Sequence, residues 1–488
     1  MNKLTVIFLF SLILAINAIA QPISLHPQNP HYFIYKGKPT ILVTSAEHYG
    51  SVLNSDFDYK KYLETMHNEG MNYTRVFMGS YVEIPESFGI ENNSLAPAVG
   101  SFITPWKRVE ETGLYKGEKK FDLSQWNPEY FDRLKDFVSL ANELDIIVEV
   151  TLFCSTYSDE SWKRHPFNPD NNINGLPSNL NRKKSNTLEN GILSGFQQKM
   201  VEKIVSELNG FGNVFYEIQN EPWADDPIKG MLTLKTLTPN PNNGGWFQWA
   251  DMASEASLEW QKMIAKTVVE TESSLTNKHL IAQNYNNFKS SLDKVDPNVS
   301  ILNFHYVWPE TVGLNYGWNR PVSFDESGFA GSSDSTYLRQ AWQFMMAGGA
   351  VFNNLDYSFY VGKEDGTGVN KAPGGGSTNL RKQLTTLRSF IESLDFVKMK
   401  PDFQVVVHSP GSEVQAISQP GSQYAIFFTG NATKWVKLNL PKGKYNFEFV
   451  SPYTGKPIKK GFFSHTGKDI YELKLPEFGE MIALKIWK

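Results

Sequence analysis

Short runs rich in β-branched and aromatic residues alternate with segments of helical hydrophobic spacing along most of the chain. The helical spacing is clearest after Asn127, where Pro128 suits the first helical position and apolar residues recur from Phe131 to Leu144. This alternation indicates parallel strands joined by helical crossovers. The eight predicted strands cover residues 40–44, 72–78, 146–153, 214–219, 279–284, 300–305, 322–325 and 350–357.

Further helices are predicted between these strands. One should start at Asp56 as its N-cap and stop at Gly70. Four more are expected at 196–208, 253–272, 337–346 and 380–394, while the links between the fifth, sixth and seventh strands are only weakly helical. Eight such units predict an α/β fold, a (β/α)8 TIM barrel, over residues 21–398.

Three strand-to-helix connections, at 79–126, 154–195 and 222–252, are longer than a barrel requires. Such connections lie on the C-terminal face, where barrel enzymes keep their catalytic residues. Beyond about residue 399 the pattern changes to β runs at 403–408, 415–418, 424–429, 435–440, 445–450 and 481–487, separated by turn residues. Residues 399–488 are therefore predicted to form an antiparallel β-sandwich domain.

Composition and charge narrow the possible functions. Hydrophobic residues make up 41% of the chain, enough for a large core, and the net charge of −4 without a dense basic block argues against nucleic acid as a partner. Residues 1–20 resemble a secretory signal peptide, with Lys3, an apolar run at 4–15 and a small-residue site ending at Ala20. We expect export to the periplasm or the extracellular medium, and no later apolar run is long enough for a membrane span.

Two glutamates end predicted strands at the same mouth of the barrel. Asn220-Glu221-Pro222 follows the fourth strand and Asp325-Glu326 the seventh. Three units of a typical barrel span about 94 residues, close to the separation of Glu221 and Glu326. Paired carboxyl groups about 5.5 Å apart can cleave a glycosidic bond. Alternatively, carboxylates at strand ends cap helices or pair with arginine.

These residues resemble those of glycoside hydrolase clan A, the retaining (β/α)8 enzymes that include family 5 cellulases and mannanases. The resemblance implies Glu221 as acid/base and Glu326 as nucleophile, with Asn220 donating to the sugar 2-hydroxyl and no cofactor. It also implies that Arg75 contacts the nucleophile, where a cation would favour the ionised form of Glu326. The alternative for Arg75 is a structural ion pair inside the barrel.

On the sixth strand the sequence matches the clan in one residue and departs from it in another. His305 stands where the clan usually has a histidine, although it could also be a satisfied core residue. Family 5 enzymes typically have His, one residue, then Tyr, whereas here Tyr306 is adjacent and Val307 follows. Strand alternation predicts that Tyr306 faces away from the nucleophile. No second His or Cys is spaced for metal binding, so no metal is expected.

Other candidate binding residues lie around the predicted mouth. Glu47 and His48 end the first strand and could bind a distal sugar or simply form a loop. Tryptophans could stack on sugar rings, with Trp223 and Trp308 the preferred candidates because they adjoin the catalytic positions. The wider set is Trp106, Trp162, Trp223, Trp246, Trp249, Trp308 and Trp318.

The sequence thus predicts a secreted retaining glycoside hydrolase acting on a polysaccharide or oligosaccharide. Endo action is preferred, with β-glucan the first candidate substrate and β-mannan or an algal galactan next. The alternative is a non-catalytic glycan-binding protein on a degenerate barrel, which the presence of both glutamates disfavours.

Overall fold

The computed structural model describes residues 21–226, 228–231, 249–288, 290–430 and 434–488. The predicted signal peptide at 1–20 and Trp246 lie outside these ranges. Eight parallel strands form the central sheet in the order β1-β8-β7-β6-β5-β4-β3-β2. They are β1 (Leu42–Ala46), β2 (Tyr73–Phe77), β3 (Ile147–Cys154), β4 (Val214–Asn220), β5 (Ile281–Asn287), β6 (Ile301–His305), β7 (Val322–Ser327) and β8 (Val351–Leu355).

The sheet curves into a (β/α)8 TIM barrel, so the predicted fold class is confirmed. Between β1 and β2 the ring is joined by the Asn72 side chain, which donates to the Ile41 carbonyl over 2.8 Å and accepts from the Val43 amide over 3.0 Å. The described helices are α1 (Tyr59–Asn68), α2 (Pro128–Glu143), α3 (Asp159–Trp162), α4 (Leu193–Leu208), α5 (Glu255–Ser273), α6 (Glu310–Asn315), α7 (Asp334–Met346) and α8 (Thr378–Glu392).

Helix starts follow local capping chemistry. The predicted N-cap of α1 was wrong. The cap is Asp58, two positions after the predicted Asp56, and its side chain accepts from the amides of Lys60 and Lys61. Asn127 is the N-cap residue of α2 with Pro128 at the first position, as predicted, although its side chain makes no capping bond. The short α6 and a 3₁₀ helix, Tyr316–Trp318, join β6 to β7, in keeping with the weak helical pattern there.

The long connections carry small sheets of their own. After β2, strands Trp106–Thr112 and Lys119–Trp126 form an antiparallel hairpin. After β4, strands Ile228–Met231 and Trp249–Met252 pair with each other. Met252 of the second strand also pairs with Asn286 of β5. Near the N-terminus, strands Ser24–Leu25, Phe33–Tyr35 and Lys38–Thr40 form a three-stranded sheet.

The C-terminal region is antiparallel, as predicted. Its strands are β9 (Lys400–Pro401), β10 (Val406–His408), β11 (Ser412–Gln419), β12 (Gln423–Gly430), β13 (Trp435–Leu438), β14 (Gly443–Val450), β15 (Pro457–His465), β16 (Tyr471–Lys474) and β17 (Met481–Trp487). A six-stranded sheet runs β9-β11-β12-β17-β14-β15, and a three-stranded sheet runs β10-β13-β16. The sequence missed β15, β16 and the two-residue β9. The proposed division near residue 399 falls between a short 3₁₀ helix, Phe396–Lys398, and β9.

Alternate residues of β12 contribute to two cores. Ala425 and Phe427 pack into the barrel's apolar core, whereas Ile426 and Phe428 pack into a second core within the sandwich. None of the helices in the described ranges combines the length and apolar character that a membrane crossing requires.

Candidate active site

Glu221 follows β4 in a left-handed backbone conformation, with φ 46° and ψ 55°, and Pro222 then starts a short 3₁₀ helix. This turn ends the strand and directs the carboxylate into the barrel mouth. Its Oε1 lies 2.8 Å from His305 Nδ1, and its Oε2 accepts from the Tyr157 hydroxyl over 2.8 Å. The Glu221 amide donates to Asn284 Oδ1 over 3.3 Å. Glu221 is therefore fixed at both its backbone and its carboxylate.

Glu326 lies in β7 and is buried. Its Oε1 accepts from the Tyr306 hydroxyl over 2.6 Å, and its Oε2 accepts from Arg75 Nη1 over 3.2 Å. Burial raises the pKa of Glu326 above its ordinary value; His305, Arg75 and Tyr306 act in the opposite direction, and Glu221 adds to the rise. Arg75 thus favours the ionised form, as expected, but burial outweighs its effect on the pKa.

The two glutamates converge on one pocket, which both of them line. A carboxylate oxygen of Glu221, one of Glu326 and a nitrogen of His305 lie within 4.8 Å of one another. A separation of about 5–5.5 Å is typical of retaining glycosidases, and about 6.5–9.5 Å of inverting ones. The geometry therefore suits attack by one carboxyl group while the other transfers a proton.

Arg75 lies beneath the pocket, fully buried at the barrel centre. Besides Glu326, it pairs with Glu217 and lies 3.4 Å from Asp325 Oδ2. Its Nη2 also donates to Asn220 Oδ1 over 2.8 Å. Burial opposes its charge, but Glu217 and Asp325 outweigh that effect and raise the pKa of Arg75. Both interpretations of Arg75 hold, since it contacts Glu326 and also anchors a buried ion-pair network.

Asn220 lines the pocket, but its side-chain amide already has protein partners. Besides accepting from Arg75, it donates from Nδ2 to the Tyr157 hydroxyl over 2.9 Å. That hydroxyl in turn donates to Glu221. Asn220 and Tyr157 therefore link the arginine beneath Glu326 to the other carboxylate.

His305 lies between the catalytic candidates. Its Nδ1 faces Glu221 at 2.8 Å and Glu326 at 3.5 Å, while its Nε2 is 3.3 Å from Asp325 Oδ2. Burial disfavours the imidazolium, but Glu326 and Asp325 outweigh it and raise the pKa of His305 well above its ordinary value. A cation at this position reduces the repulsion between two close carboxylates.

The expected orientation of Tyr306 was wrong. Tyr306 has φ 53°, so the extended backbone of β6 ends at His305 and strand alternation no longer applies. A register shift at the same point pairs His305 with Glu326 across β6 and β7. Both His305 and Tyr306 consequently reach Glu326.

Of the two candidates at the end of the first strand, Glu47 is structural and His48 lines the pocket. Glu47 is fully buried and accepts from the amides of Gly50 and Ser51 at 3.1 and 3.0 Å and from the Ser94 hydroxyl. Its interpretation as a sugar ligand is wrong, because its carboxylate binds a loop instead. His48 lines the pocket and lies 3.3 Å from Glu83.

The preferred tryptophans also differ in position. Trp223 is buried edge-on to His305, with ring centroids 5.4 Å apart, and lines a second pocket beside Glu221. Trp308 stacks on Phe288 and lines a groove between barrel and sandwich, so its placement in the catalytic pocket was wrong. Trp106 and Trp162 are buried in the core, and Trp318 is half-buried against it.

The sequence missed several aromatic and polar pocket residues. Tyr157 follows the third strand, so the strand-end argument that found Glu221 would have found it. Phe329, two residues after β7, would have been found by the same argument, whereas Glu83 and Phe88 lie within the long connection after β2 and have no such signal. Phe88 and Phe329 are exposed at the mouth with positive φ, and their rings lie 6.2 Å apart.

His305 also shares two groups of potential metal ligands, one with Glu217 and Asp325 and one with Glu221 and Glu326. Both imidazole nitrogens already face carboxylates. Glu326 and Asp325 raise the pKa of His305, so a metal ion at either group would compete with a proton for the imidazole.

No protein-family model matches the sequence, and no curated protein matches it. Solved structures do share its architecture over 96% of the chain. A putative glycoside hydrolase from Bacteroides vulgatus ATCC 8482 has a TM-score of 0.65 at 15% identity, with 82% of its own chain covered. A family 5 glycoside hydrolase from the same organism has a TM-score of 0.59 at 11% identity, with 93% covered.

A third solved structure, a glycoside hydrolase, has a TM-score of 0.58 at 11% identity, with 97% of its chain covered. The chain has the fold of solved glycoside hydrolases. This confirms the fold that the sequence resemblance implies. At such low sequence identity the likeness shows the fold alone, because unrelated activities share this fold.

Proposed function

We propose that the protein is a retaining glycoside hydrolase that cleaves β-glycosidic bonds in a polysaccharide or oligosaccharide. The observation that carries the proposal is the approach of the Glu221 and Glu326 carboxylates to within 4.8 Å over one pocket. Tyr306 and Arg75 hold one carboxylate, and Tyr157 and His305 hold the other. Two separately oriented carboxyl groups are what double displacement requires.

In the first step, Glu326 attacks the anomeric carbon and forms a covalent bond to the sugar. The bond to the leaving oxygen breaks as Glu221 donates a proton to that oxygen. In the second step, Glu221 takes a proton from water, whose oxygen attacks the same carbon and releases Glu326. Arg75 and Tyr306 stabilise the Glu326 carboxylate when it leaves the sugar, because both donate to its oxygens.

The proposal is tested with Glu326→Gln and Glu221→Ala. We expect Glu326→Gln to lose hydrolysis of every glycan that the wild type cleaves, with β-glucan tested first and β-mannan and algal galactan next. Glu221→Ala should lose about 10²- to 10⁴-fold on natural glycans but much less on aryl glycosides with good leaving groups, which need little protonation. Equal turnover by wild type and Glu326→Gln would contradict Glu326 as the nucleophile, whereas no turnover by either would instead support a glycan-binding protein.

The stereochemistry of the product tests the retaining mechanism separately. Proton NMR at early times should show the β-anomer of the released sugar, before mutarotation mixes the anomers. The α-anomer appearing first would contradict the proposal that Glu326 is a nucleophile.

We also propose that the protein is exported, on the basis of the apolar run at 4–15 and the small residues before Gln21. N-terminal sequencing of protein recovered outside the cytoplasm should begin near Gln21.

A further inference from the structure

Two adjoining pockets share the lining residues Phe88, Tyr157, Glu221, Tyr306 and Phe329. The chemistry of the proposed reaction gives each pocket a different part of the substrate. The smaller pocket contains both Glu221 and Glu326 and extends to His48 and Glu83. The larger contains Glu221 without Glu326 and extends to Trp223. A nucleophile contacts the sugar that is transferred, whereas the general acid contacts the leaving oxygen. If the proposed function holds, the smaller pocket binds the transferred sugar and the larger binds the leaving group.

Residues 83–95 form a wall of the smaller pocket through Glu83, Phe88 and Leu95, and of these three only Phe88 also lines the larger pocket. The wall packs directly on the loop after β1: a Cβ on Gly50 would lie 2.3 Å from the Ser94 carbonyl. The Ser94 carbonyl also accepts from Asn54 Nδ2 over 3.0 Å, and the Ser94 hydroxyl binds Glu47. Backbone contact of this kind leaves no passage for a sugar chain between the loop and the wall.

The same wall is tied to the connection after β8. The Glu91 amide donates to the Lys371 carbonyl over 2.9 Å. Three hydrogen bonds join Asn92 to the Asn370 side chain: Asn370 Oδ1 accepts from the Asn92 amide over 3.0 Å and from Asn92 Nδ2 over 3.2 Å, and Asn370 Nδ2 donates to the Asn92 carbonyl over 2.8 Å. The wall is therefore held from both sides, and its residues Glu83 and Leu95 line the part of the smaller pocket that the larger pocket does not share.

The inner end of the pocket carries an ion pair with spare hydrogen-bonding capacity. His48 Nε2 lies 3.3 Å from Glu83, which also accepts from the Tyr81 hydroxyl at 3.0 Å and from Asn93 Nδ2 at 2.5 Å. Burial opposes both charges, but Glu83 raises the pKa of His48 and His48 lowers that of Glu83. Among the described residues, His48 Nδ1 is buried without a hydrogen-bond partner, and so is the hydroxyl of Tyr357, a neighbour outside the pocket lining whose ring centroid lies 5.7 Å from that of His48.

We propose that the enzyme is exo-acting: the smaller pocket holds one terminal neutral sugar, whose hydroxyls are bound by His48 and Glu83. This inference rests on the proposed function and replaces the sequence-based preference for internal cleavage. Unpartnered buried polar atoms favour a ligand rich in hydroxyls. A negatively charged sugar is disfavoured, because Glu83, Glu221 and Glu326 all line the pocket.

Product analysis tests exo action on the full-length wild-type enzyme. Reducing-end-labelled oligosaccharides of the cleaved linkage should lose one sugar at a time, with free monosaccharide as the first new product. Aryl β-monoglycosides should be hydrolysed, whereas aryl β-uronides should not. A rapid fall in polymer viscosity with products of many lengths would overturn exo action but leave the hydrolase proposal intact. No cleavage of any glycan would overturn both.

Variants at the inner end test which residues bind the sugar. Glu83→Gln and His48→Asn should each raise KM for the aryl β-monoglycoside at least tenfold and weaken inhibition by the free monosaccharide, with a smaller change in kcat. Glu91→Gln, on the exposed side of the same wall, is the matched control and should behave like the wild type. If Glu83→Gln does not fold, the KM of His48→Asn tests whether the inner end of the pocket binds the sugar. An unchanged KM in folded variants would overturn the assignment.

Discussion

The Tyr306 hydroxyl donates to Glu326 although the adjacent His305 reaches the same carboxylate. Two neighbouring residues of an extended strand cannot point the same way, and the left-handed φ of Tyr306 is what removes this restriction. A non-glycine residue with positive φ costs of order 1–3 kcal/mol, and such residues cluster at active sites. Glu221 also has a positive φ. The position of the Glu221 carboxylate and the hydrogen bond from Tyr306 to Glu326 therefore both depend on strained turns.

The hydrogen bond from Tyr306 should control the pH dependence of activity. Because that bond lowers the pKa of Glu326, Tyr306→Phe should raise the pKa further. Glu326 must be ionised to attack, so the acidic limb of kcat/KM should move to higher pH. The measurement is a pH profile on an aryl glycoside. Tyr471→Phe, in the sandwich, should leave it unchanged, and an unmoved limb in Tyr306→Phe would show that the bond does not tune Glu326.

Individual site residues were predictable from sequence where strand ends determine their position. Glu221 and Glu326 converge because parallel strands of a barrel end at one mouth. Glu47 also ends a strand, but its orientation depends on the loop that packs above it, which no local pattern specifies. The prediction for Trp308 was wrong for a related reason, because its ring stacks on Phe288 outside the pocket.

At the scale of elements, the strands of the barrel were easier to predict than those of the sandwich. Barrel strands are buried on both faces and appear as continuous apolar runs. The missed strand β15 lies at a sheet edge, carries two lysines and is mostly exposed, so it has no apolar pattern. The wall at 83–95 has little regular structure and is positioned by contacts with residues distant in sequence, among them Glu47, Gly50 and Asn370.

The packing of this wall on Gly50 gives an element-scale prediction. Gly50→Ala should displace the wall, because the added methyl group would overlap the Ser94 carbonyl and the Leu95 amide. We expect a several-fold rise in KM for the aryl β-monoglycoside. Gly210→Ala is the control, since nothing lies within 4 Å of its Cβ. Unchanged kinetics in a Gly50→Ala enzyme of wild-type thermal stability would mean that the wall does not shape the sugar pocket.

At the scale of the whole molecule, the sandwich packs against the barrel through apolar side chains. The Phe427 ring stacks on Trp342 of α7, with centroids 5.2 Å apart and planes 18° apart. Phe427 belongs to the barrel core, whereas its neighbour Phe428 belongs to the sandwich core. Because one strand supplies both cores, we expect the barrel and the sandwich to unfold together.

Phe427→Ala tests this coupling. Truncating a buried phenylalanine costs about 3–5 kcal/mol, so the whole unfolding transition should move to lower temperature as a single step. Phe462→Ala is the matched control, because its ring is 84% exposed and its loss should change stability by less than about 0.5 kcal/mol. Scanning calorimetry measures both variants. Two separate transitions in Phe427→Ala, with only one of them shifted, would show that the sandwich is an independent unit of stability and that the stacked contact does not couple it to the catalytic barrel.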